Sequence, residues 1–110
     1  MSNAQDIETV IQSMLSKLIA DYHPQQVILF GSHVYGEPDL DSDIDLLIIK
    51  DTSDRFIDRW VKVHHILTGT HHSIALDTLV LTPQEIEKRL ARGDQFIAEI
   101  LEKGKVLYAA

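Results

Sequence analysis

Apolar residues recur every three to four positions early in the chain: Ile7, Val10, Ile11, Met14, Leu15, Leu18 and Ile19. That spacing predicts an amphipathic helix packed by one face, with Pro24 helping to end it. The pattern then changes. "QVILF" (26–30) is a short apolar run broken by Gly31, which predicts a buried strand and then a turn. "DIDLLIIK" (43–50) is polar at its start and apolar through its body, a second strand. In "SDRFIDRWVKVHHILTG" (53–69), Phe56, Trp60, Val63 and Leu67 fall on one helical face, and Gly69 sits where a C-cap belongs. "SIALDTLVL" (73–81) predicts a third strand.

"TPQE" follows at 82–85 and predicts a helix start: Thr82 as cap, Pro83 at the first helical position, Glu85 closing a capping box. The helix is expected to break near Gly93, to resume through Phe96, Ile97, Ile100 and Leu101, and to stop at Gly104. "KVLY" (105–108) adds a short last strand. Helices and strands in this order predict an α/β (α+β) fold, a small mixed sheet packed with helices. Without repeats, low-complexity tracts or a Pro/Gly/Ser-rich linker, residues 1–110 read as a single domain.

Side chains alternate across a strand, so Asp43 and Asp45 share a face while Ile44 and Leu46 take the other. Two carboxylates roughly 7 Å apart along a strand repel each other unless a cation lies between them. Hard oxygen ligands so placed suit Mg²⁺ or Mn²⁺, which bind through one or two carboxylates plus substrate phosphates. A solvated strand start explains most isolated Asp-x-Asp pairs equally well. Two features add weight here. Gly31-Ser32 lies at a strand-to-turn junction, where backbone N–H groups cradle phosphate and Gly36 permits another tight turn. Asp77 stands amid the aliphatic third strand, where a buried carboxylate is costly unless paired or metal-bound.

Composition narrows the chemistry. Apolar residues make up 45% and charged residues 25%, as in an ordinary globular chain. The apolar runs "VILF" and "LLII" are four residues each, too short for a bilayer, and "MSNAQDIETV" is acidic where a secretion signal is basic, so a cytoplasmic protein is expected. The absence of cysteine excludes disulfides, thiolate zinc sites and cysteine nucleophiles. A net charge of −7 disfavours grasping duplex nucleic acid through its phosphates. No lysine or arginine lies between Lys17 and Lys50, so a polyphosphate held there needs a metal for its positive charge.

"GSHVYGEPDLDSDID" (31–45) resembles the Gly-Ser, ten residues, Asp-x-Asp signature of the nucleotidyltransferase superfamily that includes DNA polymerase β. The small chain is similar to its minimal nucleotidyltransferase branch of prokaryotic proteins often encoded beside a helical HEPN-type partner. The likeness takes in the first helix, the acid-bearing third strand and the closing "EILEKGKVLYAA". It implies that Gly31 and Ser32 hold nucleotide phosphates and that Asp43, Asp45 and Asp77 bind two Mg²⁺ ions, with Mn²⁺ as an alternative. It further implies that Asp77 helps to activate the acceptor hydroxyl. One position departs from the pattern: relatives commonly carry a basic residue directly after Gly-Ser, and here it is His33.

The resemblance implies transfer of a nucleoside monophosphate from ATP or another NTP to an acceptor hydroxyl, with a tyrosine of a HEPN-type toxin as acceptor and the chain as antitoxin. Two alternatives stand beside it: a non-catalytic antitoxin or regulatory module, and a small-molecule transferase of aminoglycoside type working as a homo-oligomer. Other features have plainer readings. His23, His33, His64-His65 and His71-His72 fit no closed zinc pattern and read as solvated. Arg55, Arg59 and Lys62 read as one basic helical stripe, a solvated face or a docking surface. Trp60 reads as core, and Tyr35 as a packed turn residue beside the phosphate turn.

Overall fold

The computed structural model describes residues 7–37, 42–71 and 74–110. The N-terminal "MSNAQD", Asp39, Asp41, His72 and Ser73, which opens the expected third strand, lie outside the described residues. The elements in chain order are α1 (Ile7–Asp21), β1 (Gln26–Phe30), α2 (Ser32–Tyr35), β2 (Ile44–Ile49), α3 (Phe56–Leu67), β3 (Leu76–Leu81), α4 (Pro83–Ala91), α5 (Gln95–Lys103) and β4 (Lys105–Ala109). The four strands form one mixed sheet in the order β3-β2-β1-β4. β1 is antiparallel to both β2 and β4, while β2 and β3 run parallel. That parallel pair is joined through α3, the crossover that a parallel connection requires.

Strand alternation sorts the core onto two faces. Val27, Leu29, Ile44, Leu46, Ile48 and Val80 meet the apolar stripes of α1 and α3 on one side. Ile28, Phe30, Leu47, Ile49 and Leu81 meet Ile86 of α4 and Ile97 and Ile100 of α5 on the other. β2 is therefore covered on both faces, which explains why its body is a continuous aliphatic run rather than an alternating one. Local chemistry fixes the helix ends. The Thr82 side chain accepts from the Glu85 amide while the Glu85 carboxylate accepts from the Thr82 amide, a complete capping box. Asp94 caps α5 through the Ile97 amide, and Gly69, with φ +84°, follows the α3 cap residue Thr68. Among the described residues no helix is long and apolar enough to cross a membrane.

Helix α3 departs from the expected packing. Its inward line is Arg59, Val63 and Leu67, while Phe56 and Trp60 are 52% and 45% exposed. The basic stripe therefore does not exist as one surface. Arg59 is 6% exposed and all three of its guanidinium nitrogens are engaged. Its Nε donates to the Asp54 carbonyl at 3.0 Å and Nη1 to the Val80 carbonyl at 3.2 Å. Nη1 and Nη2 also form a two-pronged pair with Glu85, at 2.7 and 3.2 Å. A planar fork with several donors is the one cationic side chain that can be buried this way. Arg55 and Lys62 stay outside, paired with Asp58 at 3.0 Å and Asp54 at 2.6 Å.

Candidate active site

The residues singled out in the sequence gather at one end of the sheet. β1 ends at Phe30, and Gly31 turns the chain with φ +83° into the short helical turn α2. A side chain is disfavoured at Gly31 twice over. Its φ lies in the left-handed region, and a Cβ there would collide with the Asp45 carboxylate. Val34 and Tyr35 donate their amides to the Gly31 carbonyl at 3.0 and 3.1 Å. The amides of Ser32 and His33, in the first turn, have no acceptor within the helix and are the groups a turn of this kind offers to an anion. Four residues are too short for a 3.6-residue period to register, so the sequence predicts only a turn here.

Asp43 precedes β2 and is exposed; Asp45 is its second residue and half-buried. Across the sheet, Asp45 is paired with Phe30 on β1 and with Asp77 on β3. Directly paired positions share a face, so Asp45 and Asp77 stand side by side. Burial pushes the Asp45 carboxyl above its ordinary pKa, the charges of Asp77 and Asp43 push it further, and His33 opposes them. Asp77, Asp43 and His33 thus all lie close enough to act on Asp45. Its Nε2 also donates to the Ser42 carbonyl at 3.3 Å, tying the Gly-Ser turn to the residue before Asp43. Asp77 corrects one expectation. It is exposed, because β3 is an edge strand, so the expense of a buried lone carboxylate does not arise there.

Among the described residues, no three His, Asp or Glu side chains already close around a point as an ion cage. The donor set nonetheless fits Mg²⁺ or Mn²⁺. It consists of hard carboxylate oxygens on one face, and Mg²⁺ commonly takes only one or two of these, completing its shell with water and substrate phosphate. The close approach of Gly31 to Asp45 brings the Gly31-Ser32 turn and the carboxylates together. One neighbour read in the sequence only as a helix position also lies here: Phe96 of α5 is 54% exposed and meets Phe30 edge-on at 5.7 Å, next to Asp45.

A family model described as "Polymerase beta, Nucleotidyltransferase" matches residues 12–110. The chain belongs to the polymerase β nucleotidyltransferase family. A Methanocaldococcus jannaschii protein described as "putative protein adenylyltransferase" is 29% identical over 104 residues, which cover 92% of this chain and 97% of that one. A Sulfolobus solfataricus crystal structure described as a "putative nucleotidyltransferase" superposes with a TM-score of 0.56 at 20% identity, covering 99% of this chain and 93% of that one. That likeness is one of fold. The chain is thus a nucleotidyltransferase with the family's mixed sheet.

As a nucleotidyltransferase it invites a direct check of the turn. Gly31→Ala adds a Cβ that meets the Asp45 carboxylate and imposes a positive φ on an L side chain. We expect a loss of roughly 2 kcal/mol or more in urea unfolding, with binding of the NTP substrate weakened at least about tenfold by the displaced turn. Gly69→Ala is the control. It carries the same positive φ with nothing within 4 Å of the added carbon, so it should lose only the strain of about 1 kcal/mol and leave NTP binding unchanged.

Proposed function

We propose that this nucleotidyltransferase moves AMP from ATP to a tyrosine hydroxyl on a HEPN-type protein partner and thereby acts as an antitoxin. The observation that carries the reading is the direct pairing of Asp45 with Asp77, beside the Gly31-Ser32 turn and under the charge of Asp43. The Methanocaldococcus relative, described as a protein adenylyltransferase, supports a protein as the acceptor.

In this reading the Ser32 and His33 amides and the Ser32 hydroxyl hold the triphosphate of ATP. Asp43, Asp45 and Asp77 hold the divalent ions, Mg²⁺ or Mn²⁺. When bound, such ions supply a lowered pKa for the acceptor hydroxyl and charge compensation for the leaving group. Asp77, exposed on β3, accepts a hydrogen bond from the acceptor hydroxyl and aims its oxygen at the α-phosphorus. The new bond joins that oxygen to the α-phosphorus. The bond from the α-phosphorus to the α–β bridging oxygen breaks, and pyrophosphate leaves with the electron pair. The hydroxyl proton passes along the exposed Asp77 carboxylate to solvent. Positioning and charge compensation account for most of such a barrier reduction, since protein contributes little covalent help to the transferring group.

The test is label transfer from α-labelled ATP into the partner encoded beside this gene. Label on a partner tyrosine, absent with Asp43→Ala, is the expected result; absence of label on any co-encoded partner removes the proposal. The same variants separate catalysis from masking. An Asp43→Asn, Asp45→Asn double variant should fail to protect cells from the toxin, and full protection would favour a non-catalytic binding role.

A further inference from the structure

We infer that the acceptor enters as an extended segment added antiparallel to the free edge of β3, with its tyrosine opposite Asp77 and its neighbouring side chains against Trp60. The inference rests on the proposed tyrosine acceptor and specifies how that acceptor is recognised.

Among the described residues β3 closes one side of the sheet and pairs only with β2. The Ala75 and Leu81 carbonyls accept from the Ile44 and Lys50 amides, so alternate residues 75, 77, 79 and 81 turn their backbone groups toward β2. Those of Leu76, Thr78 and Val80 turn outward. Arg59 Nη1 takes the Val80 carbonyl and blocks the downstream part of the edge. Among the described residues the backbone groups of Leu76 and Thr78 have no such cover. An open edge of three residues, centred on Asp77, is left.

An unpaired edge is a template for another strand. In an antiparallel addition, the residue opposite Asp77 falls at a pair without hydrogen bonds, the closer kind, about 4.5 Å between Cα atoms. Its side chain shares the Asp77 face, which is where a reacting hydroxyl belongs. The residues before and after it exchange hydrogen bonds with Thr78 and Leu76, and their side chains take the opposite face. That face already has a wall. His64 Nε2 lies 3.0 Å from Thr78 Oγ1, and Trp60, one helical turn earlier, stacks on His64 with ring centroids 4.1 Å apart at 25°. Trp60 lies on the β3 side of α3, since Val61, Lys62, His65 and Ile66 border α1 and the Tyr22 cleft instead. The half-exposed indole, unexplained as core, becomes a platform for an apolar neighbour of the acceptor tyrosine.

The experiment uses the full chain with ATP, Mg²⁺ and short blocked peptides carrying one central tyrosine. With Val or Ile on both sides of the tyrosine, labelling should exceed that of Asp-flanked peptides by about fivefold. Trp60→Ala should flatten that preference, while Val61→Ala, on the other side of the helix, keeps it. N-methylation of the residue before or after the tyrosine should lower labelling roughly tenfold or more; N-methylation of the tyrosine itself should be tolerated, because its N–H points away from β3. The Leu76 and Thr78 amides should slow in hydrogen exchange only when the Val-flanked peptide is added. Labelling indifferent to the flanks and to N-methylation overturns strand addition and leaves the tyrosine acceptor standing. Labelling of the co-encoded partner alone, with no peptide labelled, also overturns it. Failure to label either overturns the acceptor reading itself. Amides already protected in a dimer of the free chain assign the edge to a second copy and overturn it too.

Discussion

Asp45→Asn is expected to stabilise the protein while removing its activity. The carboxyl is held above its ordinary pKa by burial first, then by Asp77 and Asp43. A carboxyl whose pKa is raised by folding favours the native state only when protonated. That contribution is complete below its unfolded pKa and disappears as pH rises through its folded pKa. At pH 7 the native chain therefore carries a repulsion that the neutral amide lacks. Discounted for the solvent around a half-buried group, the gain is on the order of 0.5–1 kcal/mol, a rise of a few degrees in Tm. The difference from wild type should shrink to nothing as pH falls below the carboxylate range. Nucleotidyl transfer should fall by about 10²–10³-fold or more, since a carboxylate proposed to hold the divalent ion is lost. Thermal unfolding from pH 3 to 8 beside label transfer from ATP measures both. A variant less stable than wild type at pH 7 would contradict the electrostatic origin of the strain.

The second large effect concerns stability alone. Arg59→Ala should lower unfolding free energy by about 3–5 kcal/mol, or Tm by roughly 12 °C or more. The substitution leaves the Val80 and Asp54 carbonyls and one side of Glu85 without their donor. Glu85 itself is held below its ordinary pKa chiefly by its hydrogen bond to Arg59, and burial opposes this. Arg59→Lys should recover only part of the loss, because one ammonium cannot span both Glu85 oxygens and the two carbonyls. Arg59→Met with Glu85→Gln should be milder than Arg59→Ala: no carboxylate is left unpaired, and the Gln oxygen can still close the capping box. The neighbouring Arg55→Ala should leave stability almost unchanged, its pair with Asp58 being solvent-exposed. Urea unfolding of the four variants measures the series. An Arg59→Ala chain as stable as wild type would show that the buried fork contributes nothing.

Arg59 also shows where sequence reasoning stops. A cation at a core-facing helical position reads as surface, and its partner Glu85 lies 26 residues away, recognisable in sequence only as a capping residue. Once Arg59 takes the inward place, Phe56 and Trp60 of the first turns are left outside. Most elements were legible because their periods are long and their ends are marked. The seven apolar positions of α1, the Thr82–Glu85 box, the break at Gly93 and the stop at Gly104 all appear where expected. That Asp43 lies near Asp45 follows from their spacing alone. The pairing of Asp45 with Asp77 does not, since it depends on which strands are neighbours and in which register. The exposure of Asp77 depends on β3 being the edge, which strand patterning cannot reveal.

The shared role of Asp43, Asp45 and Asp77 is tested most directly by calorimetric titration of Mg²⁺ or Mn²⁺ into the protein with α,β-methylene ATP, which cannot undergo transfer. Cation uptake that needs the nucleotide, and that disappears in Asp45→Asn and weakens in Asp77→Asn, is the expected result. Uptake unchanged by either substitution, or no uptake with the nucleotide present, would contradict it.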